Sequence, residues 1–259
     1  MKNLPNIDFT LKEIERIVST SSIKGGEAYI CSSGNPNSLY KIFYQDDIHD
    51  PLLYSFDSLP ISLTSNIVTM SNNKLRKLER LYQMQLEHST RPISTISVNG
   101  ELVGYEMTRN PQDITLETLR LSREEMIDYL KQTKDILEYF AEHDILYGDV
   151  ALRNILVNPQ TRIAKFCDMD NIRLGQYDID VRPYELISYL IDRGSIDEKV
   201  DAYMHGYLTI NSLGIDLELC FLKAKYFKEN LKDGALEIID GLSNPREFTG
   251  EYLIQYVKK

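Results

Sequence analysis

ILYGDVALRNILVNPQTRIAKFCDMDNIRLG, residues 145–175, is the most informative stretch of this chain. Two short apolar runs lie within it, at 155–157 and at 163–166. They flank Asn158-Pro159-Gln160-Thr161, which consists of residues that favour turns. Two apolar runs joined by such a segment are typical of a β-hairpin. The stretch therefore predicts two antiparallel strands near the middle of the chain.

Acidic and amide residues stand at both ends of this predicted hairpin. Asp149 and Asn154 precede its first strand, and Asp168 and Asp170 follow its second strand. Hard cations such as Mg²⁺ prefer carboxylate and amide oxygens, and a further carboxylate can orient an attacking hydroxyl. For Asp149 taken alone, a solvated turn is the alternative interpretation. The complete order of acid, amide, hairpin and acid favours a magnesium and phosphate site.

Size and composition predict a globular protein of the cytoplasm. The chain has 259 residues with 42% hydrophobic content, enough for a sizeable core in one large domain or two lobes. Residues 1–8 hold one lysine and no long apolar run, and no stretch reaches the about eighteen apolar residues of a membrane span. The formal charge of −10 argues against nucleic acid or a membrane surface as partner. Cys31, Cys167 and Cys220 lack metal-type spacing and are typical of reduced thiols.

The segment Asp149-Val-Ala-Leu-Arg-Asn154 resembles the catalytic loop of protein kinases, and Asp168-Met-Asp170 stands where these enzymes carry Asp-Phe-Gly. The resemblance implies an α+β, bilobal protein-kinase-like fold. Its small antiparallel β N-lobe is expected over residues 1–108, and its helical C-lobe over residues 109–259. The resemblance also implies ATP and Mg²⁺ as cofactors.

Motifs upstream of the hairpin fit this resemblance in chain order. Gly25 and Gly26 form a predicted turn between two strands, similar to a degenerate glycine-rich loop, although a plain hairpin corner is the alternative. Lys41, on the strand that returns, matches the kinase lysine that binds the α- and β-phosphates, and a solvated lysine that points outward is the alternative. A helix is predicted over residues 72–86, and its Glu79 corresponds to the glutamate that pairs with that lysine. A surface ion pair is the alternative for Glu79.

A second hairpin is predicted over residues 93–107, because Asn99-Gly100 favours a type I′ turn. Its returning strand resembles the hinge of the kinase family. The resemblance implies that backbone groups of Glu106, Met107 and Thr108 hydrogen-bond the adenine ring.

Apolar residues at helical spacing predict further helices. The predicted helices cover residues 7–17, 123–143 with Ser122 as its cap, 217–231 and 247–257.

Two motifs downstream also resemble the family. Arg182-Pro-Tyr-Glu185 is similar to the Ala-Pro-Glu that ends a kinase activation segment. Asp201-Ala-Tyr-Met-His-Gly206 is similar to the segment whose aspartate steadies the backbone of the catalytic loop. A helix cap is the alternative for Asp201, and it is compatible with that role.

Residue by residue, the resemblance implies specific roles. Asp149 would accept or orient the proton of the acceptor hydroxyl. Lys41 would bind the nucleotide phosphates, and Arg153 would approach the transferred group. Asn154 and Asp168 would hold Mg²⁺.

Three departures from the family narrow these expectations. Tyr147-Gly148 replaces His-Arg, so control through phosphorylation of an activation loop is not expected. Asp170 replaces the glycine of Asp-Phe-Gly, and we expect it to be a solvated turn residue rather than a third metal ligand. The segment 168–185 is short for docking a peptide, which favours an atypical bacterial-type or small-molecule kinase.

The sequence thus predicts a phosphotransferase that moves the γ-phosphate of ATP to a hydroxyl of a protein or a small molecule. Two alternatives stay open at this point. A pseudokinase that binds partners without catalysis would explain the degenerate glycine turn, and a kinase-like fold could instead transfer a nucleotidyl group.

Overall fold

The computed structural model describes residues 4–21, 23–25, 27–44 and 66–175, together with Asp201, Leu208 and Ser212. These residues fall into two compact units. Unit 1 contains the described residues up to Asp113 together with Asp168–Asn171, and unit 2 contains those from Ile114 to Cys167 and from Ile172 onward.

Unit 1 is built on a six-stranded sheet. Its strands are β1 (Asn6–Phe9), β2 (Ile23–Lys24), β3 (Ala28–Ser32), β4 (Ser38–Phe43), β5 (Pro92–Val98) and β6 (Glu101–Thr108). Their order is β1-β5-β6-β4-β3-β2, and every neighbouring pair is antiparallel except β1 with β5. A mixed α and β structure with a mainly antiparallel sheet confirms that part of the predicted fold class.

Two helices cover opposite faces of this sheet. The first, α1 (Leu11–Ser21), packs Ile14 and Val18 on a cluster that contains Ile42 of β4. The second, α2 (Asn72–Met84), packs Leu78 on a cluster that contains Phe43. Because side chains alternate along a strand, neighbouring residues of β4 reach different helices. The sheet therefore has a hydrophobic cluster on each face.

The prediction of one helix over residues 7–17 is wrong at its start. Ile7 belongs to β1, which pairs in parallel with β5, and the helix begins only at Leu11. Thr10 and Glu13 explain the later start, since the Thr10 backbone N–H donates to the Glu13 carboxylate at 2.8 Å and thereby caps the helix.

The β5–β6 hairpin is confirmed. Asn99 and Gly100 have φ angles of +53° and +85°, as both central residues of a type I′ turn require. Helix α2 is also confirmed, although Ser71 rather than an asparagine caps it, its side chain accepting the Lys74 N–H.

Unit 2 combines the long helix α3 (Arg123–Glu142) with short strands. These are β7 (Ile114–Thr115), β8 (Ile145–Leu146), β9 (Ile155–Asn158), β10 (Ile163–Phe166) and β11 (Arg173–Leu174). The predicted hairpin is confirmed as β9–β10, which extends through β7 to a three-stranded antiparallel sheet, while β8 pairs with β11. Ser122 and Glu125 form a capping box at the start of α3, as expected for the predicted cap.

Several predictions lie outside the described residues. They concern Gly26, the Arg182–Glu185 motif and the helices over 217–231 and 247–257. Among the residues that the structure does describe, no helix combines the length and the apolar character that crossing a bilayer requires.

Gly104 on β6 allows β4 to approach closely, which gives a first testable prediction. A Cβ at this position would lie 2.1 Å from the backbone oxygen of Lys41 and 3.1 Å from the Cα of Ile42. Gly104→Ala is therefore expected to lower the free energy of unfolding by about 3 kcal/mol or more, measured by urea denaturation. Gly34→Ala is the matched control, because its Cβ meets nothing within 4 Å and only its φ of +82° costs about 1 kcal/mol. Equal losses in the two variants would contradict the close approach.

Candidate functional site

Lys41 is buried on the face of the main sheet that α2 covers. It alternates with Tyr40 and Ile42, which point to the α1 side, and it lies directly opposite Tyr105 across β4 and β6. The residue is only 3% exposed, so its ammonium group requires charged partners close by.

Three carboxylates surround this ammonium group. Lys41 Nζ lies 2.9 Å from Glu27 Oε1 and 2.9 Å from Asp170 Oδ1, and it forms a third ion pair with Asp168. We call Glu27, Asp168 and Asp170 the carboxylate cluster. All three belong to unit 1, and Asp168 reaches it although it stands 127 positions after Lys41. The structure thus brings together the predicted phosphate-binding lysine and one predicted metal ligand.

The prediction that Asp170 is a solvated turn residue is wrong. Asp170 is 0% exposed, within a 3₁₀ turn, Met169–Asn171, whose three residues are all buried. Its carboxylate accepts the Tyr105 hydroxyl at 2.7 Å and lies 3.1 Å from Lys74 Nζ, in addition to its bonds from Lys41. A carboxylate can be buried when cations and hydroxyl donors satisfy its oxygens, and both are present here.

Glu27, rather than Glu79, is the glutamate that pairs with Lys41. Glu27 follows the predicted glycine turn and also lies 3.5 Å from Lys74 Nζ. Helix α2 buries Lys74, Lys77, Leu78 and Leu81, whereas Glu79 is half-buried. At about 100° per residue Glu79 points away from that buried face, so the helix presents lysine to the carboxylate cluster.

The charges in this group shift the pKa values of its members. Burial alone would lower the pKa of Lys41, but Asp168, Asp170 and Glu27 outweigh burial and hold that pKa well above its usual value. Burial would raise the pKa of Asp170 and of Glu27, yet Lys41 and Lys74 lower both. Burial dominates for Asp168 and raises its pKa to about 6. Among the described residues, the ion pairs of these three carboxylates are made with two ammonium groups, those of Lys41 and Lys74.

The carboxylate cluster has the composition of a site for a divalent cation. One oxygen from each of Glu27, Asp168 and Asp170 lies within 4.8 Å of the other two. Carboxylate oxygens are the ligands that Mg²⁺ and Ca²⁺ prefer. Asp168 has a φ of +62°, a left-handed conformation that aspartate tolerates at some cost and that occurs often at functional sites.

Two backbone N–H groups from the predicted nucleotide-binding segments, those of Gly25 and Thr108, already form hydrogen bonds within unit 1. The N–H of Gly25 donates to Ala28 O at 2.9 Å and closes the β2–β3 turn. Glu106, Met107 and Thr108 lie inside β6, between β4 and β5, and the Thr108 N–H donates to Arg91 O at 2.9 Å. The Thr108 N–H is therefore occupied, and adenine could not use it without breaking this bond.

Unit 2 brings together three other predicted residues. The Asp149 carboxylate accepts two bonds from Arg153, at 2.9 and 3.0 Å, and one from Asn154 Nδ2 at 2.8 Å. Asn154 Nδ2 also donates to the backbone oxygen of Asp149. The amide nitrogen of Asn154 makes these bonds, which leaves its amide oxygen as the atom that could bind a cation.

Asp201 holds the backbone directly before Asp149. Its carboxylate oxygens accept the N–H groups of Tyr147 and Gly148, each at 2.6 Å. The resemblance implies this contact, and the structure contains it. Burial raises the pKa of Asp201 to about 6, although the two N–H bonds and the charge of Arg173 act in the opposite direction.

Replacing Asp201 should change how stability depends on pH. Its pKa rises from 3.8 in the unfolded chain to about 6 in the folded protein. The folded protein therefore binds more protons between these values, and the Asp201 contribution to the free energy of unfolding falls by about 3 kcal/mol as pH rises through this window. Asp201→Asn removes this contribution. The difference between wild-type and variant urea curves from pH 4 to 7 measures it, and parallel curves would contradict the prediction.

Sequence reasoning missed four residues of the site in unit 1: Glu27, Lys74, Tyr105 and Asn171. Asn171 Nδ2 donates to Glu27 Oε1 at 2.9 Å, and its Oδ1 accepts from Lys74. The missed signal was a lysine at a core-facing position of the helix predicted over 72–86. A buried lysine needs an acidic partner, and Glu27 beside the glycine turn was a candidate.

Comparison with known proteins assigns no family to this chain. A function for this protein is therefore inferred from the residues and distances of its site. No family model matches the sequence, and no curated protein matches it significantly.

Proposed function

We propose that this protein is an ATP- and Mg²⁺-dependent phosphotransferase with a bilobal kinase-like fold, which transfers the γ-phosphate to a hydroxyl of a protein or a small molecule. The ion pair between Lys41 and Asp168 carries this proposal. The resemblance assigns these two residues to the same phosphates and metal, and 127 positions separate them in the chain. Local sequence does not determine a pairing at this separation, and it joins the two residues that the resemblance assigns to one site.

Lys41 supplies the charge that phosphate binding needs. Three carboxylates hold its ammonium, one of them the buried Asp170, so it stays protonated and has a defined position for the nucleotide. Phosphoryl transfer depends mainly on positioning and on neutralising charge, and bound Mg²⁺ would supply further positive charge. Within unit 1, Asp168 would hold the metal and Glu27 would offer a further carboxylate.

Asp149 is proposed to orient the acceptor hydroxyl and accept its proton. Arg153 and Asn154 fix its carboxylate, and Asp201 fixes the backbone before it. The resemblance assigns Arg153 to the transferred group. Such fixed geometry is what general-base catalysis requires of a side chain.

A non-catalytic pseudokinase is the second candidate, and one observation favours it. Three carboxylates bind Lys41, whereas α2 contributes Lys74 instead of the expected Glu79. Nucleotide phosphates must displace at least one carboxylate from Lys41 before they bind. A protein that only binds partners would have no need for this exchange.

Nucleotide binding and group transfer decide between these candidates. Calorimetry with a non-hydrolysable ATP analogue, with and without Mg²⁺, is expected to show binding that depends on the metal. ATP labelled at the γ-phosphate is then expected to yield labelled product, whereas ATP labelled at the α-phosphate is not. Label from the α-phosphate in the product would indicate nucleotidyl transfer. Binding without turnover would favour the pseudokinase, and no binding would overturn the proposal.

A further inference from the structure

We infer that Asp170 is the positioning residue for Lys41, with Lys74 of α2 as its counter-cation. This inference rests on the proposed function, and it deepens it by assigning how the phosphate-binding lysine is held. In the family that the sequence resembles, a glutamate on the helix binds the lysine directly. Here the helix carries a lysine, and a buried aspartate lies between the two ammonium groups.

The contacts of Asp170 fix it in place. Its oxygens lie 2.9 and 3.1 Å from Lys41 Nζ and 3.1 Å from Lys74 Nζ, and one accepts the Tyr105 hydroxyl at 2.7 Å. A carboxylate has about four acceptor positions, and these contacts occupy them. Charge-assisted bonds in a buried place are strong, so Asp170 has little freedom to change partners.

The other two members of the carboxylate cluster differ from Asp170 in exposure. The side chains of Glu27 and Asp168 are 24% and 30% exposed, whereas that of Asp170 is 0% exposed. Partly exposed carboxylates can turn toward an incoming cation or release the lysine to a phosphate more readily than a fully buried one can. Asp170 is therefore the permanent partner of the Lys41 ammonium, whereas Glu27 and Asp168 can release it.

The ring of Phe43 attracts both ammonium groups. Its ring centroid lies 4.3 Å from Lys74 Nζ and 5.4 Å from Lys41 Nζ, within the range of cation–π attraction. Lys74 therefore connects α2 to Lys41 through Asp170 and through this ring. A displacement of α2 would move Asp170, and with it the ammonium that binds the phosphates.

A paired set of variants separates positioning from stability. Asp170→Asn removes the bridging charge, and Lys74→Met leaves Asp170 with one cation fewer. The double variant keeps the original charge balance, because one carboxylate and one ammonium disappear together. Arg76→Met, an exposed cation on the same helix, is the matched control.

We expect the double variant to regain stability but not activity. The Lys74→Met variant should unfold at lower urea concentration, and adding Asp170→Asn should reverse most of that loss. The value of kcat/KM for ATP should stay about a hundredfold below wild type in the double variant, because Lys41 lacks its fixed partner. If stability and activity recover together, Asp170 has only a structural role and the inference is overturned. A loss of activity in Glu79→Gln as large as that in Asp170→Asn would overturn it as well.

A second measurement tests the positioning role of Asp170 without relying on catalytic turnover. Lys41 modification by an amine-reactive ester at one fixed pH, quantified by peptide mass spectrometry, should be several-fold faster in the double variant than in wild type or in Arg76→Met. If wild type transfers no phosphate but this difference appears, the proposed function fails and the positioning role stands. Equal rates of modification in the double variant and wild type would overturn the positioning role, whatever the activity.

Discussion

Asp149→Asn is expected to lower kcat for phosphate transfer by about 10²- to 10⁴-fold while nucleotide affinity changes little. Asparagine has nearly the same shape as aspartate, and its amide oxygen can still accept the bond from Asn154 Nδ2, which is 2.8 Å long in wild type. What it cannot do is accept a proton from the acceptor hydroxyl. The variant therefore removes the proposed chemistry and keeps the bond from Asn154, while it loses one of the two bonds from Arg153.

The same variant should be almost as stable as wild type. Asp149 pairs with Arg153 at a partly exposed position, and such ion pairs contribute about 0–1 kcal/mol. Asp135→Asn, on the exposed side of α3, is the control for a change of charge alone. Single-turnover transfer from γ-labelled ATP and urea denaturation measure the two effects. Full transfer in the Asp149 variant would rule out its role as the proton acceptor.

Local sequence signals predicted much of this fold. Residues only a few positions apart determine three of its features: the Asn99-Gly100 turn, the capping box of α3 and the β9–β10 hairpin. A turn needs particular φ angles, and a cap needs a side-chain acceptor at one position, so residue identity determines them directly. The contact between Asp201 and the backbone before Asp149 came from the resemblance instead, because more than fifty positions separate them.

Long-range pairing could not be predicted in the same way. Ile7 has apolar neighbours at helical spacing, yet it joins a strand because β5 offers an open edge about ninety positions later. The burial of Asp170 likewise depends on Lys41, Lys74 and Tyr105, which come from three different elements. A pattern within one segment carries no information about which distant cation will neutralise an acid.

The site in unit 1 is therefore stable only while ammonium groups neutralise its carboxylates. Asp170 is completely buried, and each of its two cations lies on a different secondary-structure element. Removing one cation leaves negative charge in a place that water reaches poorly, which costs far more than losing a surface ion pair. Loss of Lys41 should cost more stability than loss of Lys74, because Lys41 forms ion pairs with all three carboxylates and Lys74 with two of them.

Lys41→Met should accordingly destabilise the protein as well as abolish transfer. The variant leaves three carboxylates with Lys74 alone, and breaking a buried pair in this way costs about 3–5 kcal/mol. Urea denaturation measures the loss, and Lys12→Met on the exposed side of α1 controls for loss of a lysine. A Lys41→Met variant as stable as wild type would show that the carboxylates do not need this cation.

Divalent cations should restore much of the stability that Lys41→Met loses. Without the ammonium between them, oxygens of Glu27, Asp168 and Asp170 that lie within 4.8 Å of one another can bind the same ion. An ion at about a hundred times its Kd would add about 2.7 kcal/mol, because it binds the folded protein only. Mg²⁺ or Ca²⁺ should thus raise the urea midpoint of Lys41→Met more than that of Lys12→Met or of wild type, where the ammonium competes. An equal rise in all three proteins would mean that Lys41 and the cation do not occupy the same carboxylates, and the metal site would have to lie elsewhere.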